Sequence, residues 1–384
     1  MKLSGKPELV SLIKDRIKEE GSISFRDFMD MALYYPKLGY YTSKKDKIGG
    51  YGDFFTSSEV DKAFGELLAK QFVEMFSKLK KETFSIVEIG AGKGYLAHDI
   101  LSYLENTYPQ IYQKTEYILI EKSPYHIKQQ KELLKGFSNI RWLQDIEDIE
   151  EKGITGIMFS NELFDSFPVH MIRKRGGKIF EIFLTVDKDN YVIELEKEPR
   201  HEILEYLDEL KIDIPEGMTT EVNLDAKKYI QDIGKKLDRG YILTIDYGYP
   251  SKELYKHYRM KGTLLCYYKH QYSENFYENV GLQDITAHVN FSALKFYGEK
   301  VGLKTLGFTD QAHFLTNLGL MDIIAQLQEK DDYASFERIN RLKTLILPKG
   351  MGEKFKILVQ YKNVENPNIK GLELLPYQSD RFLL

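Results

Sequence analysis

The stretch Ser85-Ile-Val-Glu-Ile-Gly-Ala-Gly-Lys-Gly-Tyr-Leu-Ala-His-Asp-Ile-Leu101 constrains the chain more than any other. Ile86, Val87 and Ile89 are β-branched, which suits a buried strand. Gly90, Gly92 and Gly94 then form a turn that side chains would obstruct, because only glycine enters positive φ freely and lets a ligand approach the backbone. Leu96, Ala97, Ile100, Leu101 and Leu104 follow at helical spacing. Strand, glycine turn and helix together open a nucleotide-binding α/β domain. The plainer alternative is a glycine turn that holds no ligand.

The glycine spacing narrows the choice. A dinucleotide fingerprint needs a third glycine in G-x-G-x-x-G, for close packing of helix on strand. Counted from Gly90 that place holds Tyr95, and counted from Gly92 it holds Ala97. What stands here, Glu88-x-Gly90-x-Gly92-x-Gly94, resembles motif I of the class I S-adenosylmethionine-dependent methyltransferases.

At 384 residues, 42% hydrophobic and 29% charged, the chain has room for a large α/β domain plus a smaller one and is not expected to be disordered. A net charge of −4 gives no global reason to expect nucleic-acid binding. Cys266 is the sole cysteine, which excludes a disulfide framework and a cysteine-based zinc site. No metal site is expected. The amino terminus lacks a signal-peptide core, carries Glu8, Asp15, Glu19 and Glu20, and no apolar run reaches spanning length. A cytoplasmic protein without membrane insertion is the expectation.

Residues 1–80 read as a mostly helical extension. Leu9, Ile13 and Ile17 share one face up to Gly21, and Ser24 caps a helix running through Met31. A loop rich in Gly and Tyr spans Tyr34 to Thr56, and its length and composition suit a lid over the cofactor, with a plain surface loop as the alternative. Ser58 is read as the N-cap of the next helix, with Asp61 at its third position. Residues 81–384 read as the main domain. Further strands are expected at 117–120, 140–143, 156–160, 241–245 and 355–361. Residues 169–218 read as an insertion, a β-hairpin segment turning at Gly176-Gly177 followed by a charged helix, that offers a surface for substrate or for a second copy of the chain. Residues 250–290 read as irregular.

In open α/β sheets ligands lie beyond the carboxyl ends of the strands. Glu121 ends the second strand and is placed to accept hydrogen bonds from both hydroxyls of a ribose. Asp145 follows the third strand and is a candidate adenine contact, with capping of the acidic helix behind it as the alternative. Asn161, Glu162 and Asp165 follow the fourth strand, where the chemistry should occur, although Asn161 or Asp165 could instead cap a following helix.

Several separate stretches then agree with one family. The chain resembles the MidA-like methyltransferases, which include the mitochondrial complex I assembly factor that methylates arginine. The matching pieces are Gly52-Asp-Phe-Phe-Thr-Ser-Ser-Glu59, Phe64-Gly65-Glu66, Glu88 to Gly94, Ser160 to Val169, Ile245-Asp-Tyr-Gly248, Gly262-Thr-Leu264, Thr286 to Phe291 and Pro348 to Glu353. Ser57, Lys93 and Asn290 depart from the residues common in that family. The resemblance implies a class I (Rossmann-like) fold, a mostly parallel sheet with helices on both faces, S-adenosyl-L-methionine as cofactor, and a protein arginine, in a respiratory complex or elsewhere, as substrate.

For that chemistry an in-line displacement needs orientation and desolvation above all. Carboxylates gripping a guanidinium would hold its charge away from the attacking nitrogen and take the departing proton. Glu162 is the expected principal acceptor-binding carboxylate, supported by Asn161 and Asp165. His288 is a candidate proton acceptor or a structural hydrogen-bonder. Asp53, Thr56 and Ser57 are expected to close over the cofactor. The competing readings are a small-molecule methyltransferase and a non-catalytic assembly scaffold. A nucleic-acid adenine methyltransferase is disfavoured, because Asn161-Glu-Leu-Phe164 replaces its Pro-Pro-aromatic motif.

Overall fold

The computed structural model describes residues 2–43, 57–269, 271–330, 332–348 and 350–373. The chain forms two compact units, each gathered from separated stretches. One comprises residues 56–163, 229–248 and 295–384, and the other residues 1–55, 164–228 and 249–294.

The first unit is built on a sheet of β1 (Phe84–Ile89), β2 (Thr115–Ile120), β3 (Ile140–Leu143), β4 (Ile154–Asn161), β5 (Leu237–Tyr249), β6 (Lys304–Asp310) and β7 (Phe355–Lys362). Their order across the sheet is β3-β2-β1-β4-β5-β7-β6. The first five pair in parallel, and β7 runs antiparallel to both β5 and β6. Parallel strands covered on both faces read as near-continuous apolar runs, as Ile86-Val87, Ile118-Leu119-Ile120 and Ile157-Met158-Phe159 do. Helices α1 (Ala63–Leu79) and α2 (Tyr95–Thr107) bury Phe64, Leu68, Phe72 and Met75 with Leu96, Ile100 and Leu104 in the same core. The strand order reverses between β1 and β4, and their carboxyl ends lie at this switch point, where a ligand crevice opens in such sheets. The expected mostly parallel α/β sheet is present.

The second unit holds an antiparallel sheet of Thr219–Val222, His170–Arg175, Lys178–Val186 and Ile23–Ser24, with Val192–Lys197 also paired to Lys178–Val186. Its hairpin turns at Gly176-Gly177, where Arg175 faces Lys178 as expected. Helices Pro7–Glu20 and Phe25–Tyr34 pack Leu9, Ile13, Ile17, Phe25 and Phe28 into one core with Met171, Ile182 and Leu184. Residues 250–290 are not irregular throughout, since Leu265–Tyr268 pairs with both Gln271–Ser273 and Asp284–Thr286.

Packing explains why the units part after residue 55 and not near 80. The apolar stripe of α1 belongs to the parallel-sheet core, whereas the two amino-terminal helices share theirs with the segment around residues 169–218. The start of α1 also differs from the reading that made Ser58 its cap. A short helix, Ser57–Val60, precedes it, and α1 begins at Ala63, whose N–H the Asp61 carboxylate accepts at 3.0 Å while pairing with Arg338.

Candidate functional site

Gly90, Gly92 and Gly94 take φ of +75°, +53° and +84°, backbone that a side chain would strain. A Cβ on Gly90 would also lie 2.9 Å from Leu163 Cδ1. The Gly92 N–H donates to Glu121 Oε2 at 3.0 Å, and the Gly92 carbonyl accepts from Gln130 Nε2 at 2.7 Å. Gln130 lies on α3 (Pro124–Leu133), whose start Ser123 caps as its sequence foretold. Glu121 is almost buried at the end of β2, and its Oε1 accepts the Ser123 N–H at 2.8 Å. A carboxylate oxygen has two lone-pair positions, so Glu121 keeps acceptor capacity for further donors such as a vicinal diol.

Glu88 is buried in β1 and accepts the Tyr117 hydroxyl at 2.6 Å. Burial pushes its carboxyl up to about 8; the Tyr117 hydrogen bond opposes that rise and the Glu121 charge adds to it. In this structure Glu88 braces β1 against β2. Asp145 caps the turn Ile146–Asp148 through the Glu147 N–H and pairs with Lys122 at 3.1 Å. Burial works to raise its carboxyl, but Lys122 and the backbone donors hold it below the ordinary range.

At the end of β4, the Glu162 N–H donates to Ile245 O at 2.9 Å and the residue turns to a φ of +53°. Left-handed backbone is costly for a residue with a side chain and clusters at functional sites. The Glu162 carboxylate accepts from Asn161 Nδ2 at 3.2 Å and from the Tyr247 hydroxyl at 3.4 Å. Asp246, fully buried on β5, fastens the loop by accepting the Leu163 N–H at 3.1 Å and the Tyr247 N–H at 2.8 Å. Asn161 Oδ1 is buried with no hydrogen-bond partner among the described residues. Sequence reading assigned no role to Asp246, Tyr247 or Gln130. For the first two the signal was present in Ile245-Asp-Tyr-Gly248 at a strand end.

The second unit arranges Asp165 and His288 together. The Ala287 N–H donates to Asp165 O at 2.9 Å, and the His288 N–H to Thr263 Oγ1 at 2.9 Å. The His288 ring lies 5.3 Å from the Tyr249 ring, over which the Arg259 guanidinium sits at 4.1 Å. Gly262-Thr-Leu264 is explained by Glu221, whose buried carboxylate accepts the Thr263 and Leu264 N–H groups and would collide with a Cβ on Gly262. Tyr34 donates to Ser166, and Tyr41 to Asp284 at 2.8 Å. Asn161 and Glu162 thus meet in the parallel-sheet unit, whereas Asp165 and His288 belong to the second, where the Asp165 carbonyl accepts from the residue before His288. Asp53 and Thr56 lie outside the described residues. Ser57 opens the short helix Ser57–Val60.

The geometry of the parallel-sheet unit fits a nucleoside cofactor. A turn opened by three glycines, a strand-end carboxylate with acceptor capacity to spare and an unsatisfied amide oxygen all belong to the carboxyl ends of neighbouring strands. Fold and site together define a class I methyltransferase. A model of the S-adenosyl-L-methionine-dependent methyltransferases matches residues 67–309, and the chain belongs to that family. It is 29% identical, over 90% of its length and 84% of the relative's, to the zebrafish (Danio rerio) protein named "Protein arginine methyltransferase NDUFAF7, mitochondrial". It is 28% identical to the human (Homo sapiens) protein of that name, over 88% and 80% of the two chains. A crystal structure of a Burkholderia thailandensis protein, described as a "likely methyl transferase" and bound to S-adenosyl-homocysteine, superposes with a TM-score of 0.86 at 29% identity, covering 95% of this chain and 94% of that one. The cofactor is therefore S-adenosyl-L-methionine, as expected. The expected cytoplasmic location is overturned by these relatives, which are named as mitochondrial proteins. Among the described residues no helix is long and apolar enough to cross a membrane.

Proposed function

We propose that this enzyme methylates the guanidinium of an arginine in a protein substrate, in a respiratory complex or in another protein. The relatives that match most of its length are named protein arginine methyltransferases. The structural observation that carries the reading is Glu162, in left-handed backbone at the end of β4, whose carboxylate accepts from Asn161 and Tyr247.

S-adenosyl-L-methionine, when bound, supplies a methyl group on a sulfonium. The residues proposed to hold it are Gly90, Gly92 and Gly94, by leaving the backbone open, with Glu121 accepting from the ribose and Glu88 bracing the strand beneath. Asp145, Asp53, Thr56 and Ser57 are proposed as further contacts. Glu162 pairs with the acceptor guanidinium, which stays charged at any working pH, so two parallel hydrogen bonds both orient it and hold its charge. Asn161 and Asp246 fix Glu162 and the loop behind it. In the second unit Asp165 and His288 are proposed as further catalytic residues, with His288 as proton acceptor.

The test incubates the chain with methyl-labelled S-adenosyl-L-methionine and a methylation-deficient lysate, with Gly92→Val as control. Label in a protein band that hydrolyses to methylarginine, and that the control loses, is expected. Label confined to small molecules would replace protein arginine by a small-molecule acceptor. Cofactor binding without transfer would favour a scaffold.

A further inference from the structure

Gln130 links the glycine turn to the only tryptophan of the chain. Its side chain is fully buried on α3, with Nε2 donating to the Gly92 carbonyl at 2.7 Å and Oε1 accepting the Trp142 indole N–H, from β3, at 3.2 Å. A carbonyl can only accept and an indole N–H can only donate, so these partners fix which end of the amide is which. Gln130 also lines the turn sterically, since a Cβ on Gly94 would lie 3.0 Å from its Cγ. Both polar backbone groups of Gly92 are thereby tied to side chains, the N–H to Glu121 and the carbonyl to Gln130.

We propose that Gln130 is a positioning residue for the cofactor, setting the Gly92 peptide and through it the Glu121 carboxylate, and that Trp142 reports the state of this network. The proposal rests on the cofactor reading of the glycine turn and Glu121. Rigid presentation of Gly92 lowers the cost of ordering the turn when ligand enters, so its loss should appear in binding and not in the chemical step. A single tryptophan makes the emission unambiguous.

The full chain is titrated with S-adenosyl-homocysteine, with affinity read by calorimetry and the network by tryptophan emission. In the wild type both signals should saturate together. Gln130→Met, similar in length but without the amide, loses the bonds to both the Gly92 carbonyl and the Trp142 indole and is expected to weaken binding about tenfold. The same variant should abolish the emission change and raise KM for S-adenosyl-L-methionine, with kcat at saturation within about twofold. Trp142→Phe frees one end of Gln130 and should weaken binding about threefold by calorimetry, which decides the matter if Gln130→Met does not fold. Wild-type affinity in either variant overturns the positioning role, as does a fall in kcat with KM unchanged. A wild-type chain that binds no S-adenosyl-homocysteine overturns the cofactor reading itself.

Discussion

Glu162 carries two properties that substitution separates, a carboxylate and a left-handed backbone. Glu162→Gln keeps the shape and removes the charge, and turnover is expected to fall about 100-fold with cofactor KM little changed. Near-normal turnover would remove Glu162 from the chemistry. Glycine ordinarily destabilises relative to alanine, but at a φ of +53° the order should reverse. Glu162→Gly is expected to be more stable to urea than Glu162→Ala by about 1 kcal/mol. Glu88 gives a second prediction at this scale. Its carboxyl, raised from the ordinary 4.5 to about 8, stays protonated in the folded protein while the unfolded chain ionises. The stability it contributes is full below pH 4.5, falls as pH rises through that window and is lost above pH 8. The loss is on the order of 5 kcal/mol. Glu88→Gln should flatten that fall, so urea denaturation between pH 5 and 9 should find the variant more stable than wild type at the alkaline end. An unchanged slope would mean that Glu88 ionises freely in the folded state.

Elements with strong periodicity were legible in the sequence, and those shaped by tertiary partners were not. The apolar runs of β1, β2 and β4 and the Ser123-Pro124 start of α3 follow from local chemistry alone. β6 was missed because Lys304-Thr-Leu-Gly-Phe-Thr-Asp310 alternates poorly and contains a glycine, so its pairing with β7 decides its conformation. The sheet within 265–286 has strands of three or four residues, too short for a pattern to emerge. Gln130 was invisible for a related reason, since its partners lie 38 and 12 residues away. Gly65 shows how one such tertiary demand can be tested. It sits on α1 where a Cβ would come within 2.7 Å of the Asp99 Cβ on α2, so its absence of a side chain lets the two helices meet. Gly65→Val should force them apart at a cost of about 2 kcal/mol in urea denaturation, with no change in the site chemistry. A stability equal to wild type would show that the helices adjust without loss.

At the scale of the whole molecule the chain passes between its two units five times, after residues 55, 163, 228, 248 and 294. Neither unit is a contiguous stretch, and each owns a separate apolar core. Unfolding one unit therefore leaves its stretches as long loops joining those of the other, which argues for a single cooperative transition in spite of two cores. The residues proposed to hold the cofactor lie in the parallel-sheet unit where they are described, so a bound ligand stabilises that unit directly. At 100 times its Kd, S-adenosyl-homocysteine should add about 2.7 kcal/mol. Differential scanning calorimetry should then give one peak that moves upward as a whole. Two peaks, with only one responding to ligand, would show that the crossings do not couple the cores, and would assign the responding peak to the unit that contains Gly92 and Glu121.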